Sequence, residues 1–161
     1  MTIEGSRAAL GNAQVLCTPA LAVTEFGNLF SLVKFYRETQ KRGIKPVIGV
    51  ELRLHEDESG REPSNLIVLC QDLEGYRNLT RLVTRSYLEG QRQGIPHVHR
   101  DWLPGSTGGL IALSAAREGN IGKAIIARNN ALAERCLAEW LALFPDRFYI
   151  ELQRTERPHE N

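Results

Sequence analysis

The amino-acid sequence predicts an α/β fold in which about five strands alternate with helices and form a largely parallel sheet. Short apolar runs recur along the chain, and segments with apolar residues at helical spacing separate them. The chain has 161 residues, 42% hydrophobic and 24% charged, which is an ordinary globular composition. One domain with a sizeable core is therefore expected.

The first strand and helix are predicted between Pro19 and Gly43. Residues 1–18 are hard to assign, although Ser6–Leu16 could form a short helix. The apolar run Ala20–Thr24 predicts a buried strand. Asn28 is placed to cap the next helix, and Gly43 to end it in a left-handed conformation. The apolar stripe of that helix is predicted to be Leu29, Leu32, Val33 and Tyr36.

Two more strands and a long helix are predicted from Lys45 to Gly90. In Lys45–Leu54, apolar residues alternate with Glu51 and Arg53, so one face of this strand is expected to be buried. Residues 55–64 are expected to be a charged, solvated turn, and Asn65–Cys70 is predicted to be the next buried strand. Asp72 opens the helix, with one apolar side that contains Leu73, Tyr76, Leu79 and Val83.

The stretch Gly90–Gly109 is the longest irregular segment and the expected place for a mobile loop. Leu110–Ala115 predicts the fourth strand and Arg147–Gln153 the fifth. Between them, helices are predicted over Ile121–Ala127 and Asn130–Leu143. The apolar stripe of the second helix comprises Ala133, Leu137, Trp140, Leu141 and Phe144.

The charge balance argues against a strongly basic nucleic-acid-binding surface, because 20 Lys and Arg face 19 Asp and Glu. Two predicted helices nevertheless carry basic stripes that could contact phosphate or an acidic partner, although solvated faces are the favoured interpretation. The stripes are Lys34, Arg37 and Lys41, and Arg77, Arg81 and Arg85.

The three cysteines, Cys17, Cys70 and Cys136, are widely separated and odd in number, so buried free thiols are expected rather than a disulfide or metal site. No secretory signal pattern opens the chain, and no apolar run approaches the roughly 20 residues that span a bilayer. A reducing cytoplasm is the expected location.

Three acidic residues, Glu25, Glu51 and Glu151, lie on or at the ends of predicted strands. If the strands of Glu25 and Glu51 are parallel neighbours, their carboxylates could converge, as a divalent metal site or acid/base chemistry would need. On spacing alone, the favoured alternative is that each faces solvent or pairs with a basic residue. Arg53, on the same side of the strand as Glu51, and Lys45 are candidate partners.

His97 and His99 form the only close histidine pair, and in an extended segment both rings would point the same way, as in a metal site. A chance pair of exposed histidines is the favoured interpretation. Asp101 is expected to cap a helix at Trp102-Leu103 rather than to be a third ligand. The glycine-rich stretch Gly105–Gly109 lacks the lysine of a P-loop, and no Ser/His/Asp set is evident.

The stretch PALAVTEFGNLFSLVKFYRETQKRGIKPVIGVELRL, from Pro19 to Leu54, resembles the PHP (polymerase and histidinol phosphatase) domain at the start of bacterial DNA polymerase III alpha subunits, in their proteobacterial replicative branch. The likeness continues to Glu160 through NLIVLCQDLEGYRNLTRLVTRSY, HRDWL, GGLIALSAAREGNIGKAII and FPDRFYIELQRTERPHE. It implies an irregular (β/α) barrel, of which this chain would be a central portion. Residues 1–18 match poorly, and 19–161 would form a partial PHP domain, truncated at both ends.

The resemblance also implies a degenerate metal site. Metal-binding members carry Thr-Asp-His-Gly-Asn where this chain has Thr24-Glu25-Phe26-Gly27-Asn28. Glu25 and Glu51 match acidic ligand positions, whereas Phe26 and Asn65 stand where the family places histidines. The family's opening His-x-His pair and its later Asp and His ligands fall outside the matched segment, and His97 and His99 match no ligand position. No bound metal, no cofactor and no catalytic residue is therefore expected.

The function that the resemblance implies is that of a structural and docking domain of the polymerase alpha subunit in DNA replication. Its expected partners are the rest of that subunit and a separate proofreading exonuclease, with DNA reached only through the holoenzyme and no membrane contact. The alternative is a metal-dependent phosphoesterase or 3'-5' exonuclease. The polymerase's catalytic aspartates belong to a palm domain, so polymerisation by this segment alone is not expected.

Overall fold

The computed structural model describes residues 18–55 and 63–153. Within these residues the chain forms four α-helices and eight strands. The helices are α1 (Leu32–Lys41), α2 (Leu73–Leu88), α3 (Asn120–Ile126) and α4 (Asn130–Leu143). The strands are β1 (Ala20–Phe26), β2 (Lys45–His55), β3 (Ser64–Cys70), β4 (Gln91–Arg92), β5 (Ile95–Pro96), β6 (Val98–His99), β7 (Leu110–Leu113) and β8 (Phe148–Tyr149).

The main sheet has the strand order β1-β2-β3-β7-β8, and β6 also pairs with β2. The pairings β1–β2, β2–β6 and β7–β8 are parallel, whereas β2–β3 and β3–β7 are antiparallel. β1 pairs with β2 up to Glu51, and β6 pairs with β2 from Leu54. Strands β1 and β6 therefore follow one another along the same edge of β2. The five predicted strands thus form the path of this sheet, and the α/β prediction is confirmed.

One face of the sheet, here called the core face, packs against the helices. Val50, Leu52 and Leu54 of β2 are at most 1% exposed, as the alternation predicted. Leu79 of α2 and Trp140 of α4 belong to the same cluster of buried side chains. Burial of apolar surface stabilises this arrangement by about 25 cal/mol per Å². A smaller cluster of Val23, Phe35 and Ile44 joins α1 to the sheet.

The opposite face of the sheet, here called the open face, is only half covered. Side chains alternate between faces along a strand, and residues paired in register share a face. The open face therefore carries Phe26 of β1, Glu51 and Arg53 of β2, Asn65, Ile67 and Leu69 of β3, Ile111 and Leu113 of β7, and Tyr149 of β8. None of these residues is fully buried in the described structure, and Phe26 and Tyr149 are 42% and 55% exposed.

Helix α1 begins later than predicted, and its buried stripe is different. Asn28 does not cap it, because its side-chain oxygen accepts a hydrogen bond from the Phe30 amide and its amide donates to the Phe26 carbonyl. The helix starts at Leu32, which turns Phe35 and Thr39 inward and leaves Val33 58% exposed. Tyr36, also in the predicted stripe, is 47% exposed. Gly43 follows the helix with φ of 66°, as predicted.

Helix α2 is capped by Asp72 as predicted, through a 2.9 Å hydrogen bond to its carboxylate from the Gly75 amide. Its predicted stripe is correct at Leu79 but wrong at Leu73, which is 62% exposed, and at Tyr76. The buried residues are Gly75, Leu79, Leu82 and Ser86. Helix α2 is thus rotated about its axis relative to the predicted orientation. The rotation follows from close packing of the Gly75 backbone on Gly109, where a Cβ atom would clash.

The segment Gly90–Gly109 is not the single irregular loop that was predicted. It forms the β4–β5 hairpin, strand β6 and a 3-10 turn over Arg100–Trp102. Val98 and Leu103 are each 1% exposed, so the segment is anchored in the core. Asp101 lies inside the turn and is exposed, so the prediction of a cap at Asp101 is wrong. The apolar residues of Gly90–Gly109 are isolated and form no periodic pattern. The sequence therefore did not indicate the hairpin, the strand or the 3-10 turn.

The last two helices match their predictions closely, and α4 spans the predicted Asn130–Leu143. Trp140 is anchored in the core by a 2.9 Å hydrogen bond from its indole nitrogen to Asn120. Leu141 is the exception in the predicted stripe, since it is 48% exposed. In the described residues, no helix combines the length and apolarity needed to cross a membrane.

Several predictions fall wholly or partly outside the described residues. They are the helix Ser6–Leu16, most of the charged turn at residues 55–64, and the state of Cys17. Cys70 is a half-buried free thiol, and Cys136 is 2% exposed in the core. The basic stripes of α1 and α2 are exposed, as their favoured interpretation predicted.

Candidate functional site: the vestigial cluster on the open face

The carboxylates of Glu25 and Glu51 do not converge. Strands β1 and β2 are parallel neighbours, but their register pairs Glu25 with Val50 and Phe26 with Glu51. Since Val50 is on the core face, Glu25 projects to that side and Glu51 to the open face. The convergence that parallel pairing would have allowed fails by one residue of register, which is enough to place a side chain on the opposite face.

Glu25 has a structural position at the start of α1. Its Oε2 accepts a 2.7 Å hydrogen bond from the Ser31 amide, and Ser31 is the N-cap residue of the helix. A carboxylate at this place satisfies an amide that the helix itself leaves unpaired and interacts favourably with the helix dipole. Glu25 therefore positions the turn that connects β1 to α1.

Glu51 is held by Asn65 across the β2–β3 pair. The Asn65 side-chain amide donates a 2.7 Å hydrogen bond to Glu51 Oε1. Arg53, proposed from the sequence as the partner of Glu51, makes no ion pair with it in the described structure. The prediction of an arginine partner for Glu51 is therefore wrong, and a neutral amide fills that role.

Three of the four sequence-predicted ligand positions lie together. Phe26, Glu51 and Asn65 are neighbours on the open face, and we call them the vestigial cluster. The cluster offers one carboxylate, one amide and a phenyl ring, but no imidazole. Tight divalent transition-metal sites use several carboxylate, imidazole or thiolate ligands, which this set does not supply. In the described ranges, no group of three or more His, Cys, Asp or Glu residues has a geometry that could hold a metal ion.

Glu151 is remote from the other two acidic residues. It follows β8, which is separated from β2 by β3 and β7 in the strand order. Its backbone amide donates to the Ser114 hydroxyl at 2.9 Å, and its Oε1 accepts from Gln153 at 2.6 Å. Glu151 is thus bound to the end of the sheet.

The histidine pair was expected to be exposed, and the structure contradicts this expectation. His97 is only 5% exposed, and its Nδ1 lies 2.9 Å from the Ile95 carbonyl. Pairing of β6 with β2 brings both rings near His55, with centroid separations of 6.3 Å to His97 and 5.4 Å to His99. We call these three residues the histidine cluster. Sequence reasoning missed His55, because only the β2–β6 pairing brings it to the other two.

The histidine cluster continues into a stack of flat side chains. The His99 ring lies 4.6 Å from the Trp102 ring, and the Arg85 guanidinium lies 4.0 Å above that indole. Burial lowers the pKa of His97 most, and the charges of Arg53, His55 and Arg92 lower it further, against an opposing hydrogen bond to Ile95. His97 is therefore held in its neutral form at and above neutral pH.

The sequence of this chain matches a known protein family. The family model of the PHP domain matches residues 8–155. This chain belongs to the PHP domain family. The sequence resemblance is confirmed.

Relatives of this PHP domain are DNA polymerase III alpha subunits. The chain is 47% identical over 142 residues to the one from Pseudomonas fluorescens, covering 88% of the chain and 12% of the relative. It is 43% identical over 148 residues to the one from Escherichia coli K12, covering 92% of the chain and 13% of the relative. The chain thus spans about an eighth of the length of the curated relatives that it matches.

A solved structure from Bifidobacterium adolescentis covers 93% of the PHP domain chain and 54% of its own, at 11% identity and a TM-score of 0.39.

Proposed function

We propose that this PHP domain acts in DNA replication as a structural and docking segment of a DNA polymerase III alpha subunit, with a degenerate metal site. The relatives are alpha subunits of that polymerase, and their similarity extends over about nine-tenths of this chain. The composition of the vestigial cluster is the observation that supports a structural, non-catalytic role.

The vestigial cluster argues against metal-dependent hydrolysis. Such chemistry needs a cation that polarises the phosphate or generates a hydroxide nucleophile, held by several strong ligands. Here Phe26 offers no lone pair, and Asn65 uses its amide to hold Glu51. Glu25 projects to the core side of the sheet and binds the Ser31 amide. The alternative, a metal-dependent phosphoesterase or 3'-5' exonuclease, would have to assemble its metal centre without these positions.

We infer that the rest of the alpha subunit and a separate proofreading exonuclease are the partners of this domain, in the cytoplasm. The half-exposed open face supports a partner within the polymerase, because exposed apolar area on a sheet is usually covered in the assembled protein. DNA would be reached through the holoenzyme, since the net charge of +1 provides no strong field for phosphates.

Metal analysis combined with a hydrolysis assay tests the non-catalytic assignment. The chain is dialysed against Mn²⁺ and Zn²⁺ and then against buffer, and bound metal and phosphodiester cleavage are measured. We expect less than one tightly held ion per chain and no cleavage above background. Stoichiometric metal together with chelator-sensitive cleavage would instead establish the phosphoesterase.

A binding experiment tests the docking role separately. An alpha subunit lacking this domain, and the exonuclease subunit, are each mixed with the purified chain and analysed by size-exclusion chromatography. We expect co-elution with at least one of them, weakened by the substitution Ile67→Lys on the open face. The matched control is Val33→Lys on the exposed side of α1. Failure of both partners to bind the parent chain would contradict the docking role.

A further inference from the structure

An apolar groove lies between the β1–α1 turn and the C-terminal half of α2. It has a volume of about 430 Å³, and its apolar lining consists of Leu29, Phe30, Val83, Tyr87 and Leu88. Leu29 and Val83 pack against the core and form the buried side of the groove. Phe30 and Leu88 are 83% and 78% exposed, although both are large apolar side chains. Exposed apolar side chains gathered around a groove are typical of an interaction surface.

The groove is preformed, because hydrogen bonds fix the turn that carries Phe30. The Phe30 amide donates to Asn28 Oδ1 at 3.0 Å, and the Asn28 side-chain amide donates to the Phe26 carbonyl at 2.8 Å. The next amide, of Ser31, donates to the Glu25 carboxylate at 2.7 Å. A partner that fills the groove therefore does not have to order this turn, which removes one cost of binding.

A second groove, of about 360 Å³, continues the first along the exposed side of α2. The two grooves share Thr84 and Leu88, so they are contiguous. The second groove adds Arg81, Arg85 and Glu89 to the lining. Arg85 forms an ion pair with Glu89 at 2.7 Å, which leaves the charge of Arg81 as the net charge of this lining. The combined surface is therefore apolar at one end and basic at the other.

We propose that the two grooves together bind an amphipathic helix of a separate protein, with apolar side chains that fill the first groove and acidic side chains that face Arg81. Helices that bind in grooves present apolar anchors at i, i+3, i+4 and i+7, and opposite charges at the rim set their orientation. Arg77, one turn before Arg81 on α2, is also exposed and extends the basic end. A second copy of this chain fits less well, since it would bring the same arginines together.

This docking surface is distinct from the open face. Its lining comes from the β1–α1 turn and from α2, and none of the open-face residues belongs to it. The proposal therefore does not depend on the docking role of the open face, and either surface can fail its test without the other.

Fluorescence anisotropy with two labelled 16-residue peptides tests the proposal. Both peptides are alanine-based helices with Leu and Phe at i, i+3, i+4 and i+7, and they differ only in carrying Glu or Lys at the flanking positions. We expect the parent chain to bind the Glu peptide at least about tenfold more tightly than the Lys peptide, and the difference to shrink as salt is added. Equal affinities, or no binding of the Glu peptide, would overturn the proposal.

Substitutions test whether the Glu peptide occupies the grooves. We expect Leu88→Ser and Arg81→Glu each to weaken its binding about tenfold, and Arg81→Glu also to strengthen binding of the Lys peptide. Both side chains are exposed, so both variants should keep the Tm of the parent chain. The controls Arg135→Glu, on the exposed side of α4, and Ile67→Lys, on the open face, should bind as the parent does. Weakening by Ile67→Lys but not by Leu88→Ser would assign the peptide to the open face and overturn the groove.

Discussion

At the scale of single residues, the role of an ionisable group in this PHP domain depends on the face of the sheet to which it projects. Glu25 lies near the end of β1 and Glu51 in the interior of β2. Glu25 accepts a hydrogen bond from the backbone at a helix N-terminus, and Glu51 accepts one from an asparagine side chain. Both were expected as vestigial ligand positions from the resemblance. Their hydrogen bonds give each acid a structural role that requires no metal.

Removal of the Glu25 carboxylate should destabilise the chain. We expect Glu25→Ala to lower the free energy of unfolding by about 1 kcal/mol, as loss of a capping group does, because the Ser31 amide loses its acceptor. Glu25→Gln should cost less, since its amide oxygen can still accept. Urea unfolding measures both, with Glu134→Ala on the exposed side of α4 as control. A loss of stability that chelator reproduces in the parent chain would show instead that Glu25 holds a metal.

Cys70 should react slowly with alkylating reagents. Burial, and to a lesser extent the charge of Asp72, raises the pKa of its thiol to about 11. Relative to a thiol of pKa 9.0, this reduces the reactive thiolate at pH 8 by about 100-fold. We expect iodoacetamide to modify Cys70 at least tenfold more slowly than a cysteine-containing peptide, by mass-spectrometric peptide mapping. An equal rate in the native chain would mean that the thiol is solvated.

His97 should make stability decline on mild acidification. Its pKa is lowered in the folded chain, so between the unfolded value near 6.5 and the folded value the unfolded state binds more protons. The contribution is complete above pH 6.5 and is lost as the pH falls towards the folded pKa. Chemical denaturation from pH 7.5 to pH 5 should show this decline, and His97→Asn should reduce its slope. An unchanged slope would exclude His97 as its cause.

At the scale of elements, helix positions were predicted well and helix rotations less well. The bounds of α4 agree with its sequence pattern, and Asp72 caps α2 as expected. The inward faces of α1 and α2 were misplaced because several apolar residues in each helix compete for burial. Contacts with the sheet select among them, and at Gly75 a close backbone approach decides the rotation of α2.

Gly75 should tolerate no side chain. A methyl group there would meet the Gly109 backbone, so we expect Gly75→Ala to destabilise the chain by about 2 kcal/mol or more, despite the roughly 1 kcal/mol that alanine adds to helix propensity. Thermal or urea unfolding measures the difference. Arg81→Ala, on the exposed side of α2, is the control and should change stability little. A stabilised Gly75→Ala variant would mean that α2 can move away from Gly109.

At the scale of the whole molecule, the sheet formed by residues 18–55 and 63–153 has two ends and one half-covered face. β1 and β8 lie at the ends of the strand path, and Phe26 and Tyr149 expose much of their aromatic surface on the open face. Unpaired strand edges and exposed apolar faces favour association with other chains. The isolated chain is therefore expected to associate in the absence of its partners.

Self-association should depend on the open face. Light scattering at increasing protein concentration is expected to show species larger than the monomer, and Ile67→Lys should shift the equilibrium towards the monomer. The control Val33→Lys adds the same charge on the exposed side of α1. A parent chain that remains monomeric at high concentration and melts cooperatively at high temperature would contradict this expectation.

The sequence by itself determined the class of the fold, its five principal strands, most helix bounds and the family, because these depend on local periodicity, capping residues and a continuous likeness. The short strand β6 left no comparable signal, since Val98 stands alone between polar residues.

Only the tertiary structure decided which ionisable groups meet. The β1–β2 register separates Glu25 from Glu51, and the β2–β6 pairing gathers His55 with His97 and His99. Strand pairing joins residues that are distant along the chain, and a shift of one residue exchanges the two faces of a strand. Side-chain spacing along one strand therefore cannot predict these neighbours, whereas the paired backbone determines them.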